Sequence, residues 1–211
     1  FVDRTAVTHA CLTPTVLQIT DPSATPSVDV VIMAGEAVNS ELMQRWSAHS
    51  QVFNAYGPTE TTIMGTCTTR QGDAMTIGGP VSGFDAVVLD SRLRPVPDNV
   101  VGELYLGGPG LAEGYLGQPG LTASRFVPDA DTGTRLYRTG DLVRWNDHEL
   151  EFLGRVDSQV KIRGHRVELA EVEAELLRGS HVGSSGVPGG TGHVEQACVV
   201  GRDGSLAAYV V

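Results

Sequence analysis

The chain has 211 residues, 41% hydrophobic and 19% charged, which is ordinary globular composition with enough apolar material for one domain or two small ones. Its net charge of -10 argues against nucleic-acid or anionic-membrane partners, because phosphate contacts need clustered Lys and Arg. No apolar run approaches the length of a membrane span, and the first residues do not form a signal peptide. The three scattered cysteines, Cys11, Cys67 and Cys198, predict a reducing, cytoplasmic setting and show no metal-ligand spacing.

In chain order, "VDVVIMAG" (28–35) predicts a buried strand that ends in a glycine turn. "NSELMQRWSAH" (39–49) predicts a helix with Asn39 or Ser40 as N-cap and with Leu42 and Trp46 one turn apart. "QVF" then leads as a short strand into "NAYGPTETT" (54–62). Strand, helix and strand in this order predict a doubly wound sheet, with that motif beyond a strand's carboxyl end, where open α/β sheets place ligands. From about residue 76, "FDAVVLD", "GELYLGG", "RLYRTGDLVRW" and "ELEFLGR" are short strands separated by Gly and Pro, the pattern of a β-rich subdomain or barrel. After Arg155, "QVKIRG" predicts a short strand and "ELAEVEAELLR" an amphipathic helix with Leu169, Val172 and Leu176 on one face. "QACVVG" and "LAAYVV" close as two strands, and a domain boundary is placed near Asp157. The Gly/Ser-rich stretch at 179–193 cannot bury enough apolar surface to fold alone and predicts a linker.

The chemistry of "NAYGPTETT" suits a phosphate ligand. Gly57 permits close backbone approach and Pro58 fixes the bend, while Thr59, Thr61 and Thr62 offer hydroxyls. Glu60 is a hard oxygen ligand of the kind Mg²⁺ accepts beside phosphates, and Tyr56 offers a flat face to a purine. A polar surface turn explains the nine residues equally well when they are taken alone. Asp141, after a Thr-Gly turn, presents two oxygens suited to the paired hydroxyls of a ribose. The stretch 152–168 adds Arg155, Asp157, Lys161, Arg163, His165 and Arg166, a basic concentration in an acidic chain that suits either a polyanion or a solvated strand face.

Four stretches in order, "NAYGPTETT", "GELYLGGPGLAEGYLGQPGLTASRF", "LYRTGDLVRW" and "LGRVDSQVKIRGHRVELAEVE", resemble the adenylation domains of nonribosomal peptide synthetases. These belong to the adenylate-forming superfamily. The resemblance implies an α/β, multi-subdomain fold: part of a doubly wound α/β subdomain and a β-rich, barrel-like subdomain (1–156), then the start of a small α+β C-terminal domain (157–211). It implies ATP and Mg²⁺ as cofactors, aminoacyl-AMP as the product, and transfer to the phosphopantetheine thiol of a peptidyl carrier protein. An acyl- or aryl-acid ligase, or a non-catalytic scaffold segment, is the alternative.

By the same resemblance, Tyr56 stacks on adenine with Asn54 near its amino edge, Thr59 contacts phosphate, and Glu60 binds Mg²⁺. Asp141 holds the ribose, with Arg155 beside it and Phe152 packing near the nucleoside. Asp157 is the hinge and Lys161 lies in the loop that follows. Cys11, Ile32, Ala34, Ala55, Ile63 and Met64 line an apolar side-chain pocket, where plain core packing is the competing explanation. "LTASRF" (121–126) resembles the contact region for a small MbtH-like accessory protein, with Ala123 between aromatic rings; a helix start capped by Thr122 explains the stretch equally well. The Gly/Ser stretch marks either an inserted domain, such as a methyltransferase, or a long surface loop. The family's upstream phosphate loop, amino-group aspartate and downstream lysine are not in these 211 residues, so the chain is expected to be an interior piece that is inactive alone.

Overall fold

A computed structural model describes residues 2–68, 76–162, 164–179, 194–202 and 205–211. Arg163 and the Gly/Ser-rich segment from 180 to 193 lie outside them, as does the expectation of a linker or insertion there. The chain divides into two units, Phe1–Val156 and Asp157–Val211.

The first unit opens with β1 (His9–Leu12), α1 (Pro14–Ile19), β2 (Val30–Ala34), α2 (Ser40–Ser47) and β3 (Gln51–Tyr56), its three strands parallel and in sequential order. Pro14 begins α1 where its missing N–H costs nothing. Asn39 caps α2, its side-chain oxygen accepting from Leu42 N at 2.8 Å. Alternation along β2 and β3 sends Val31, Met33 and Val52 into one core with Leu17, Leu42, Met43 and Trp46 from the helices. Trp46 fixes the two helices together by donating its indole N–H to Leu17 O at 3.2 Å.

Both helices therefore cover one face. Strands taken in the order β1, β2, β3 move across the sheet in one direction, and right-handed crossovers then place successive helices on the same side. The described residues thus cover one face of the sheet with helices, where part of a doubly wound subdomain was expected. The sheet is also mixed, because β4 (Thr66–Cys67) and β5 (Gly79–Pro80) add to β3 antiparallel.

The β-rich part is an antiparallel sheet in the order β10-β9-β7-β6, with β8 also on β9. Its members are β6 (Asp85–Leu89), β7 (Gly102–Gly107), β8 (Phe126–Pro128), β9 (Arg135–Asn146) and β10 (Glu149–Arg155). The path has two ends, so the barrel-like part is an open half-barrel rather than a closed one. One core joins Val88, Leu104, Leu106, Val143 and Leu150 to Tyr56 and Ile77, which welds this sheet to the end of the first. A second holds Leu89, Tyr105 and Leu136. Between β7 and β8, α3 (Pro119–Arg125) is a short, largely exposed helix.

The second unit contains the hairpin β11 (Val160–Ile162) and β12 (His165–Val167), then α4 (Leu169–Gly179) and the hairpin β13 (Ala197–Arg202) and β14 (Ser205–Val210). Helix α4 is fastened to β13 by Val199 N donating to Glu173 Oε1 at 2.8 Å, with Leu169 and Val199 buried.

Candidate functional site

The motif at 54–62 closes β3 and turns through a short 3₁₀ segment, Thr59–Thr61, into β4. Gly65 N donates to Tyr56 O at 2.9 Å, so the loop is pinched at its base. That pinch explains Gly57: a Cβ there would lie 2.6 Å from Met64 Cα and 2.7 Å from Ile63 O. The close approach that Gly57 allows is thus made by the chain's own backbone. Of the three threonines, Thr61 donates to Pro58 O at 2.9 Å and Thr62 to Gly110 O at 2.8 Å. Thr59 is exposed and remains the hydroxyl suited to a phosphate.

Asp141 is the most elaborately placed carboxylate. On one side, the β7–β9 register slips between Glu103 and Tyr105, so that Leu104 alone lies opposite Thr139, Gly140 and Asp141. Gly140 takes φ +79°, and Thr139 Oγ1 donates to Leu104 O at 2.8 Å while accepting from Asp141 N at 3.0 Å. On the other side, the β9–β10 register slips between Phe152 and Gly154, and Gly154 takes φ +136°. Bulges re-aim side chains, and here two of them converge on one residue. The result pairs Arg155 with Asp141 in the ladder, Arg155 Nη1 donating to Asp141 Oδ1 at 2.5 Å. Asp141 is 5% exposed, and its other oxygen accepts from the Tyr56 phenol.

Two of the expected nucleotide contacts have protein partners. Tyr56, expected to stack on adenine, is 9% exposed, with its ring packed beside Leu104 and Val143 and its hydroxyl on Asp141. Burial and the neighbouring carboxylate hold its phenol well above the ordinary value, so it stays a donor. Asn54, expected at the adenine edge, is buried and donates its side-chain amide to Thr76 O at 2.7 Å, satisfying a buried polar pair. Phe152 keeps an accessible ring on β10, 40% exposed.

Glu60 is 7% exposed, and its Oε1 accepts from Tyr115 OH at 2.5 Å. Tyr115 OH also lies 3.4 Å from Tyr137 OH, on the same strand as Asp141. Burial, then the bond to Glu60, raises the Tyr115 phenol well above its usual value. A single hard carboxylate fits the donor set Mg²⁺ uses when phosphate oxygens and waters supply the rest. No group of three or more His, Cys, Asp or Glu among the described residues could hold a metal ion.

Four of the six expected pocket residues share one face. Cys11 pairs with Ile32, and Ala34 with Ala55, in adjacent rows on the face opposite α1 and α2. Ile32 and Ala34 are half-buried, Cys11 is exposed and Ala55 is buried. Ile63 and Met64 instead sit in the loop after the 3₁₀ turn, with Ile63 64% exposed.

The remaining expected residues lie on other elements. Asp157 belongs to the second unit, where its Oδ1 accepts from Gln159 N at 3.2 Å. Lys161, expected in a loop, is exposed on β11 opposite Arg166. Ala123 is exposed on α3. Thr122 does not cap that helix, which begins at Pro119; its Oγ1 accepts from Tyr115 N at 2.9 Å. Sequence reasoning missed Tyr115 and Thr139. The Thr-Gly turn marked Thr139, but nothing local marked Tyr115.

A family model described as "AMP-binding enzyme" matches residues 1–116. Bacitracin synthase 3 of Bacillus licheniformis is 48% identical over 220 residues, a match that takes in 100% of this chain and 3% of that protein. An artificially fused adenylation–PCP di-domain synthetase, NpsA-ThdA of Klebsiella oxytoca, superposes with a TM-score of 0.82 at 27% identity, over 100% of this chain and 40% of that one. The adenylation domain AlmE of Vibrio cholerae, in complex with glycyl-adenosine-5'-phosphate, gives a TM-score of 0.74 at 32% identity, over 87% of this chain and 38% of that one. The chain thus spans well under half of each of these relatives. With its motifs, its two sheets and these matches in agreement, the chain belongs to the AMP-binding enzyme family, as a segment of a nonribosomal peptide synthetase adenylation domain.

Proposed function

We propose that this segment supplies the ribose and metal side of an ATP site that activates an amino acid as its adenylate. The observation that carries the reading is Asp141, a buried carboxylate aimed by two bulges and oriented by Arg155. Such a carboxylate accepts from two adjacent hydroxyls, and Arg155 fixes its plane by a charge-assisted bond. Thr59 contacts phosphate from the exposed turn, and Phe152 packs beside the nucleoside. Tyr56 and Asn54 act by holding Asp141 and the base of the loop. Glu60 holds Mg²⁺, which neutralises charge on the phosphates.

In the reaction, the amino-acid carboxylate attacks the α-phosphorus and pyrophosphate leaves. Alignment and charge stabilisation are what the protein contributes. AlmE, with its glycyl adenylate, favours an amino acid over an acyl or aryl acid as substrate. The face carrying Cys11, Ile32, Ala34 and Ala55 suits a small to medium, uncharged side chain. The relative in which adenylation and PCP units are fused favours a carrier protein as acceptor. Asp157, first residue of the second unit, is the proposed hinge for that second step, and Lys161 acts from the strand after it. Pyrophosphate exchange by the complete adenylation domain, run with a panel of amino and aryl acids, tests the reading. Amino-acid-dependent exchange supports it; exchange with aryl acids alone, or none, contradicts it.

A further inference from the structure

The irregular strap from Gly108 to Tyr115 crosses the Glu60 loop and grips it at three points. Thr62 Oγ1 donates to Gly110 O at 2.8 Å, Ala112 N donates to Glu60 O at 2.8 Å, and Tyr115 OH donates to Glu60 Oε1 at 2.5 Å. Two of the three fall on Glu60 itself, one on its backbone and one on its carboxylate. The strap is in turn fixed from behind. Arg135 donates to the carbonyls of Ala112 and Glu113 at 2.6 and 2.7 Å, and lies 4.1 Å over the Phe126 ring. Phe126 meets the Tyr115 ring edge-on at 5.9 Å, and Thr122 Oγ1 receives the Tyr115 amide. Gly114, at φ +147°, brings the backbone so close to Thr122 that a Cβ would lie 2.5 Å from Thr122 Cγ2.

We propose that Tyr115 is the positioning residue for Glu60: its phenol fixes the orientation of the carboxylate, and thereby the metal affinity of the site. The inference rests on the reading of Glu60 as the Mg²⁺ ligand. A carboxylate joined to its backbone by rotatable bonds is a poorly directed ligand unless a second group holds it. Here the backbone is held by Ala112 and one oxygen by Tyr115, so the carboxylate plane is set before metal or nucleotide arrives. A purely structural phenol would show itself in stability alone. A positioning phenol shows itself in the metal requirement.

The test is calorimetric titration of ATP into the complete adenylation domain over a range of Mg²⁺ concentrations, for wild type, Tyr115→Phe and Glu60→Gln. Tyr115→Phe keeps the ring against Phe126 and removes only the hydroxyl. The expected result is a roughly tenfold rise in the Mg²⁺ concentration for half-maximal ATP binding, as loss of an outer-shell partner typically gives. Metal-free ATP binding is expected to stay near wild type, and the chain to remain folded by circular dichroism. If Glu60→Gln shifts the Mg²⁺ requirement and Tyr115→Phe does not, the positioning role is overturned while the metal reading stands. If neither variant shifts it, the metal reading falls and takes this inference with it. A Tyr115→Phe chain that no longer folds also overturns the positioning role, because it makes the hydroxyl structural.

Discussion

Arg155 stands directly opposite Asp141 in the β9–β10 ladder, and its guanidinium reaches both the Asp141 carboxylate, at 2.5 Å, and the Thr139 carbonyl, at 3.3 Å. The two side chains are 16% and 7% exposed. Removing the arginine leaves a buried carboxylate whose charge has lost its partner. Arg155→Ala is expected to lower stability by about 3 kcal/mol, the low end for a broken buried pair. Arg155→Lys keeps the charge but not the fork, and should recover part of it. The urea unfolding midpoint measures both, and equal midpoints for all three chains would show that the pair adds nothing to the fold.

Glycines in this chain divide by what surrounds them. Gly57→Ala forces a methyl against the Ile63–Gly65 backbone, which has no flexible end to give way, and should cost about 1–3 kcal/mol, as overpacking does. Gly120 lies inside α3 with nothing within 4 Å of a Cβ, so Gly120→Ala should stabilise by about 0.4–1 kcal/mol. Paired denaturation curves check the opposite signs.

Much of the fold was legible in sequence because its signals are local. Short apolar runs bounded by Gly and Pro gave β2, β6, β7 and β10 their places, and of the two cap candidates Asn39 and Ser40 it is Asn39 that caps α2. The two-residue strands β4 and β5 carry too little pattern to be seen, and β1 and α1 are short and flanked by polar residues. In the site, Asp141 after Thr-Gly was visible as a constrained carboxylate. That two bulges meet there was not, because bulge position depends on which strands pair. Tyr115 was invisible for a different reason: 55 positions separate it from Glu60, and only the strap's path brings them together. The chemistry of Tyr56 and Asn54 suits a nucleotide, and their protein partners are not visible in sequence. Their burial depends on Ile77 and Thr76, which arrive from a later segment.

Alkaline pH should unfold the chain through its phenols. Tyr56, Tyr105 and Tyr115 all have values raised above the ordinary one, chiefly by burial. A raised value in the folded state means the unfolded chain gives up its proton first. The stability from these groups is therefore intact below about pH 10 and declines as pH rises past it. The urea midpoint followed from pH 8 to 11 should fall at the upper end, and Tyr115→Phe should fall less steeply. A flat profile would contradict the burial of these phenols.

Exposed Ala123, with Leu121 39% and Leu116 101% exposed nearby, leaves α3 open to the proposed MbtH-like accessory protein. Ala123→Glu puts a charge on that surface without touching the Thr122–Tyr115 bond. Co-purification with such a partner should fall sharply for the variant. Equal recovery of both chains would remove α3 as the contact.

In the proposed site, Asp141 receives the ribose of ATP. Hydrogen bonds to a charged group are each worth about 1.5–3 kcal/mol, so losing even one of the two should weaken ATP binding about tenfold to a hundredfold. The direct measurement is pyrophosphate exchange by the complete adenylation domain at varied ATP, comparing wild type with Asp141→Ala and Asp141→Asn, each first shown to fold. The apparent KM for ATP should rise in both variants, more for Ala, with the KM for the amino acid nearly unchanged. An ATP KM equal to wild type in the folded Asp141→Ala chain would contradict that role for Asp141.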